Sequence, residues 1–125
     1  MSIRVAVVGA AGRMGRTVCE AVGAAEDMEL VAELDAGDAI TRESLGGAEV
    51  AVEFSVPGAA EANALAILDS GADAVVGTTG WTDEALERVR ARAEKTGRSA
   101  VIAPNYALSA VLAMSFAERA APFFE

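Results

Sequence analysis

The sequence contains no histidine. That absence removes the commonest general acid/base and the commonest transition-metal ligand, so zinc sites and serine-histidine-aspartate triads are excluded within these residues. Acid/base chemistry by this chain alone would fall to carboxylates, to Lys95 as the sole lysine, to Cys19 or to Tyr106. The single cysteine excludes an intrachain disulfide, and Cys19, inside an apolar-periodic stretch, is expected to be a small core residue in a reducing cytoplasm. No apolar run approaches the ~18 uninterrupted residues of a bilayer span. The start, Met1-Ser2-Ile3-Arg4-Val5, has no basic region followed by an apolar one, so a cytoplasmic, water-soluble protein is expected. Cations are few, 10 Lys and Arg against 19 Asp and Glu, and a net charge of −9 repels phosphate backbones and anionic lipids. Neither nucleic acid nor membrane is an expected partner.

What is present describes a folding chain of one domain. At 125 residues with 53% hydrophobic and 23% charged residues, the composition is not that of a disordered chain, and 12 glycines without a three-residue period exclude collagen. Short apolar, β-branched runs at 3–8, 29–34, 49–54, 73–77 and 98–103 alternate with helical patterns at 12–24, 58–70 and 82–96. This alternation predicts an α/β fold, a Rossmann-like parallel sheet of about five strands with helices on both faces. Gly71 and Gly97 stand where helices end in a left-handed residue. Thr82 is expected to cap the third helix, with Leu86, Val89 and Ala93 on its buried face. Its Arg88, Arg90, Arg92 and Lys95 read as a solvated face paired with Glu84, Glu87 and Glu94. Residues 36–48 are too polar for more than a loop with a short helix. Residues 108–124, rich in Ala, Met and Phe, predict a final helix interrupted at Pro122.

The chemistry concentrates in loops after the strands. Gly9-Ala10-Ala11-Gly12-Arg13-Met14-Gly15 is a Gly-x-x-Gly-x-x-Gly turn opening a helix. The first glycine serves a tight turn, the second the approach of backbone to a pyrophosphate, and the third close helix-strand packing. An acid is expected about 20 residues on to hold a ribose hydroxyl, and Glu33-Leu34-Asp35 supplies two. Only one of them is expected to face the ligand, and Asp35, at the carboxyl edge of the sheet, is preferred. A carboxylate there favours NAD, whereas Arg13 is within reach of a 2′-phosphate, which leaves both cofactors open and predicts use of both. Three further loops, Phe54-Ser55-Val56-Pro57, Gly77-Thr78-Thr79-Gly80-Trp81 and Ala103-Pro104-Asn105-Tyr106, offer hydroxyls, an amide and backbone groups at the same edge, suited to a nicotinamide and its ribose.

With residues 5–15 (VAVVGAAGRMG), 32–35 (AELD), 52–57 (VEFSVP), 77–81 (GTTGW) and 103–106 (APNY) in this order and spacing, the chain resembles the N-terminal half of the 4-hydroxy-tetrahydrodipicolinate reductase (dihydrodipicolinate reductase) family of lysine and diaminopimelate biosynthesis. The resemblance implies an NAD(P)H-dependent reductase, tetrameric when complete, that transfers hydride to a cyclic dicarboxylate. It implies that Gly9, Ala10, Ala11, Gly12, Arg13 and Met14 cradle the pyrophosphate and that Asp35 holds the adenosine ribose. Gly77, Thr78, Thr79, Ala103, Pro104, Asn105 and Tyr106 would position the nicotinamide. Many members have Ser and Gly at the positions of Ala107 and Ser109. The family's second domain, with its histidine pair, catalytic lysine and Ser-Gly-Thr segment, has no counterpart here, so residues 1–125 are expected to be a cofactor-binding domain that binds without turnover. Alternatives are a non-catalytic nucleotide-binding module, or the cofactor half of another dehydrogenase such as an aspartate or homoserine dehydrogenase.

Overall fold

The computed structural model describes residues 2–102; the expected helix at 108–124 and the loop at 103–106 lie outside the described residues. In chain order the elements are β1 (Ile3–Val8), α1 (Arg13–Ala24), β2 (Met28–Leu34), β3 (Val50–Glu53), α2 (Pro57–Asp69), β4 (Asp73–Val76), α3 (Asp83–Thr96) and β5 (Ala100–Ile102). Among the described residues, five strands pair in parallel, in the order β2-β1-β3-β4-β5. The apolar runs become strands because parallel strands are covered on both faces, and the central β3 and β4 are buried at every position.

Successive strand residues point to opposite faces, and this alternation separates two cores. Val5 and Val7 pack with Val18 and Val22 of α1. Ala6 and Val8 pack on the other face with Ala64, Ile67 and Leu68 of α2 and Val89 of α3. Residues 36–48 form turns and no helix. Thr41 and Ser44 exchange hydrogen bonds from backbone N–H to side-chain hydroxyl, at 2.8 and 3.0 Å, and this tight local structure delivers Leu45 into the α2 side of the core at 1% exposure.

Helix signals behave as the residues predict, with one change of face. Thr82 accepts from the Ala85 N–H at 3.1 Å, Asp83 and Glu84 occupy the first turn, and Gly97 closes α3 at φ 72°. The buried positions of α3 are Ala85 and Val89, whereas Leu86 is 39% exposed. The arginines also differ from the expected intrahelical pattern. Arg90 pairs with Glu87 and Glu94, but Arg88 and Arg92 reach across to Glu61 and Asp69 of α2. No helix among the described residues is long and apolar enough to cross a membrane.

Candidate functional site

The strand order reverses between β1 and β3, and in open parallel sheets the crevice beyond the carboxyl ends of such strands is where ligands bind. The loops after β1 and β3 meet there. The N–H groups of Gly9 and Ala10 both donate to the Leu34 carbonyl, at 2.7 and 3.0 Å, folding the chain sharply off the end of β1. Gly9 sits at φ 90°, and a Cβ on it would lie 1.9 Å from the Phe54 carbonyl oxygen. A Cβ on Gly15 would lie 1.8 Å from the Gly9 carbonyl oxygen, so the first turn of α1 rests directly on the loop. Gly12 differs: its backbone is ordinary and a Cβ would meet only the Gly9 oxygen at 3.5 Å. The first and third glycines are therefore required by the protein's own packing, while the space over Gly12 is open.

Gly12 is also the N-cap of α1, where no side chain caps the helix and no acid occupies the first turn. Exposed N–H groups at the positive end of a helix dipole make an anion site. Arg13 and Met14 are exposed beside them. Across the loop, Asp35 accepts the Ala11 N–H on Oδ1 at 2.7 Å, and its own N–H donates to Asp38 Oδ2 at 2.8 Å. A cavity of about 320 Å³ opens here, lined by Ala10, Ala11, Arg16, Cys19, Glu20, Glu33 and Asp35.

Two expectations change at this cavity. Glu33 and Asp35 both line it, because residues two apart on a strand share a face, so the two acids do not divide between ligand and solvent. Cys19 packs against the α1 core yet also reaches the cavity wall, where its thiol donates to Glu33 Oε1 at 3.6 Å. Burial first, and then the Glu33 carboxylate, push that thiol up to about 11. A larger cavity of about 560 Å³ between α3 and β5 carries none of the residues expected from the sequence to form the site.

The loops after β3 and β4 are joined by a group that sequence reasoning passed over. Glu53, the last residue of β3, is fully buried. Its Oε1 accepts from Thr78 Oγ1 at 2.6 Å; its Oε2 accepts from Asn63 Nδ2 at 2.8 Å and from the Ser55 hydroxyl. Thr78 Oγ1 in turn accepts the Ser55 N–H at 2.8 Å. Thr78, expected at the nicotinamide end, is 6% exposed with its hydroxyl engaged inward, whereas Thr79 next to it is exposed. A Cβ on Gly77 would strike the Phe54 ring at 1.9 Å, so a larger residue there displaces that ring. Trp81 Nε1 donates to the Thr78 carbonyl at 2.9 Å and holds the turn closed. Ala103, Pro104, Asn105 and Tyr106 lie outside the described residues.

Known proteins share this sequence and fold. The family described as "Dihydrodipicolinate reductase, N-terminus" matches residues 3–106. The 4-hydroxy-tetrahydrodipicolinate reductases of Beutenbergia cavernae and Streptomyces coelicolor are 58% and 51% identical over 99% and 98% of the chain. In each the match covers 50% of the relative, so the chain spans about half the length of the curated relatives it matches. Among solved structures, the dipicolinate-bound dihydrodipicolinate reductase of Paenisporosarcina sp. TG-14 superposes with a TM-score of 0.72 at 31% identity, over 97% of this chain and 54% of that one. The biliverdin reductase of Synechocystis, solved with biliverdin and NADP+, shares the fold at a TM-score of 0.65 and 17% identity, over 80% of this chain and 37% of that one.

Proposed function

The chain belongs to the dihydrodipicolinate reductase family, matching its N-terminal part, and from that membership we propose that residues 1–125 form the NAD(P)H-binding half of a 4-hydroxy-tetrahydrodipicolinate reductase. The observation that carries the reading is the pairing of an uncapped α1 N-terminus with the carboxylate of Asp35 across a loop whose middle glycine leaves its Cβ space open. A dinucleotide needs those three features together: N–H groups for the pyrophosphate, an acceptor for ribose hydroxyls, and backbone close enough for both.

Within this reading Gly9, Ala10, Ala11, Gly12, Arg13 and Met14 receive the pyrophosphate and Asp35 accepts the adenosine ribose hydroxyls. Glu33 is added as a second acceptor on the same wall. Gly77, Thr78 and Thr79, with Ala103, Pro104, Asn105 and Tyr106, border the nicotinamide. When bound, NAD(P)H supplies a hydride to a cyclic dicarboxylate acceptor. The share of the reaction assigned to these residues is to hold and orient the cofactor so that one face of its ring is presented. Thr78 contributes through its backbone, since its hydroxyl is engaged with Glu53; Thr79 is the exposed hydroxyl of that loop. Both NADH and NADPH are proposed as ligands, because Asp35 suits a free ribose while Arg13 and Arg16 stand beside the same region.

The whole protein is proposed to be a cytoplasmic homo-oligomer, a tetramer by family resemblance. Calorimetric titration of the 125-residue chain with NADH and with NADPH tests the cofactor assignment directly. Saturable binding of either at about micromolar to millimolar concentration supports it. Absence of binding by both removes it.

A further inference from the structure

We propose that Glu53 is a positioning residue that sets the joint geometry of the loops after β3 and β4 for the nicotinamide end of the cofactor, an inference that rests on the cofactor reading above. Its place in the fold is unusual. The rest of β3 is Val50, Ala51 and Val52, and its neighbours in register are Val8 of β1 and Val76 of β4. An apolar side chain would suit this position, and a carboxylate removed from water is unfavourable unless donors surround it. Among the described residues its donors are Ser55 from the β3 loop, Thr78 from the β4 loop and Asn63 from the middle of α2.

The network fixes direction as well as distance. Thr78 Oγ1 donates to Glu53 and accepts from the Ser55 N–H, so one hydroxyl is pinned from both sides and links the two loops. The Thr78 carbonyl is held by Trp81, and the Phe54 ring fills the space that a Cβ on Gly77 would take. Satisfied buried networks rigidify and specify a single arrangement. The two loops so specified follow β3 and β4 at the carboxyl edge of the sheet, and β3 is one of the two strands between which the order reverses. None of the network atoms lies in the cavity beside Asp35, so its influence falls on the other end of a bound dinucleotide.

Glu53→Gln separates these roles because it keeps the shape and removes acceptor capacity. Its amide oxygen still accepts from Ser55 and Asn63, but its NH2 turns to Thr78, whose own hydroxyl proton loses its acceptor. Trp81, the only tryptophan of the chain, reports the β4 loop through its emission. The experiment titrates the 125-residue chain and the Glu53→Gln variant with NADH and with ADP, which reaches only the glycine loop and Asp35. The expected result is NADH binding weakened about tenfold, on the order of one net hydrogen bond, with ADP binding unchanged, a shifted Trp81 emission and an unchanged far-ultraviolet circular dichroism spectrum. Unchanged NADH binding overturns the proposal and leaves the cofactor reading standing. Equal losses for NADH and ADP also overturn it, since Glu53 would then act on the fold as a whole. If neither nucleotide binds the unsubstituted chain, the cofactor reading itself fails. Should Glu53→Gln lose its folded spectrum, Thr78→Val, which at similar shape removes the hydroxyl that donates to Glu53 and accepts from the Ser55 N–H, carries the same comparison with the same outcomes.

Discussion

Asp35 Oδ1 accepts the backbone N–H of Ala11 at 2.7 Å, tying the end of β2 to the middle of the glycine loop. The carboxylate thereby orients the loop from a residue that also lines the cavity. Asp35→Ala is expected to weaken NADH binding by ~1–3 kcal/mol, the range of a charge-assisted hydrogen bond. Glu33→Ala is expected to cost less, since Glu33 touches the same cavity but not the loop. Titration of both variants decides: a larger loss at Glu33 would reverse the assignment.

The three glycines are expected to fail in different ways. Gly15→Ala places a Cβ against the Gly9 carbonyl, and Gly9→Ala adds a strained φ of 90° to a collision with Phe54. Both should lower stability by about 3 kcal/mol or more, at the upper end of overpacking costs. Gly12→Val meets open space and an extended backbone, so the folded state should persist while nucleotide binding is lost. Thermal unfolding and NADH titration on the same three variants check this. A Gly12→Val chain that binds NADH normally would remove the pyrophosphate from that loop.

Strand positions and the glycine turn were legible in the sequence because they rest on local signals: β-branched runs, a Thr cap, glycines where φ turns positive. What escaped were relations between distant residues. Glu53 follows three apolar residues and looks like the wet end of a strand; only the arrival of Thr78 and Asn63, 25 and 10 positions away, makes it a buried anchor. Leu45 likewise stands alone among polar residues, and its burial depends on the Thr41 and Ser44 exchange that turns it inward. The face of α3 was misjudged at Leu86 because periodicity gives a stripe but not which edge of it the fold covers: Ala85 is buried and Leu86 is not. The paired exposure of Glu33 and Asp35 was available from strand alternation alone.

Cys19 gives a pH-dependent expectation. Its folded value of about 11 lies above the ordinary 9.0, and the thiol is the form that burial and Glu33 favour. A raised folded value contributes stability that is fully present below 9.0 and is lost as pH rises through about 11. Thiol alkylation at about pH 8 should therefore be slower than for a free cysteine, because the thiolate is the reacting form. Glu33→Gln should speed it, and bound nucleotide should slow it further by covering the cavity. Alkylation as fast as in the unfolded chain would mean that neither burial nor Glu33 controls the thiol.

Under the proposed function, cofactor choice is expected to turn on the charges around Asp35. Glu20, Glu33 and Asp35 line the cavity against one cation, Arg16, while Arg13 is exposed at the start of α1. A 2′-phosphate brings negative charge toward those acids, and only a guanidinium in reach offsets the repulsion through paired hydrogen bonds. Arg16→Ala is expected to weaken NADPH binding by about 1–3 kcal/mol with little effect on NADH. Arg13→Ala should act in the same direction but less strongly, since Arg13 is not part of the cavity wall. Lowering the acid count by Glu33→Gln should shift preference toward NADPH. Competitive titration with the two nucleotides gives the ratio for each variant, and the salt dependence adds a check: the arginine contribution should shrink at high ionic strength because both side chains are exposed. If Arg16→Ala lowers NADH and NADPH affinity equally, the arginine serves the pyrophosphate rather than the ribose phosphate, and discrimination rests on the acids alone.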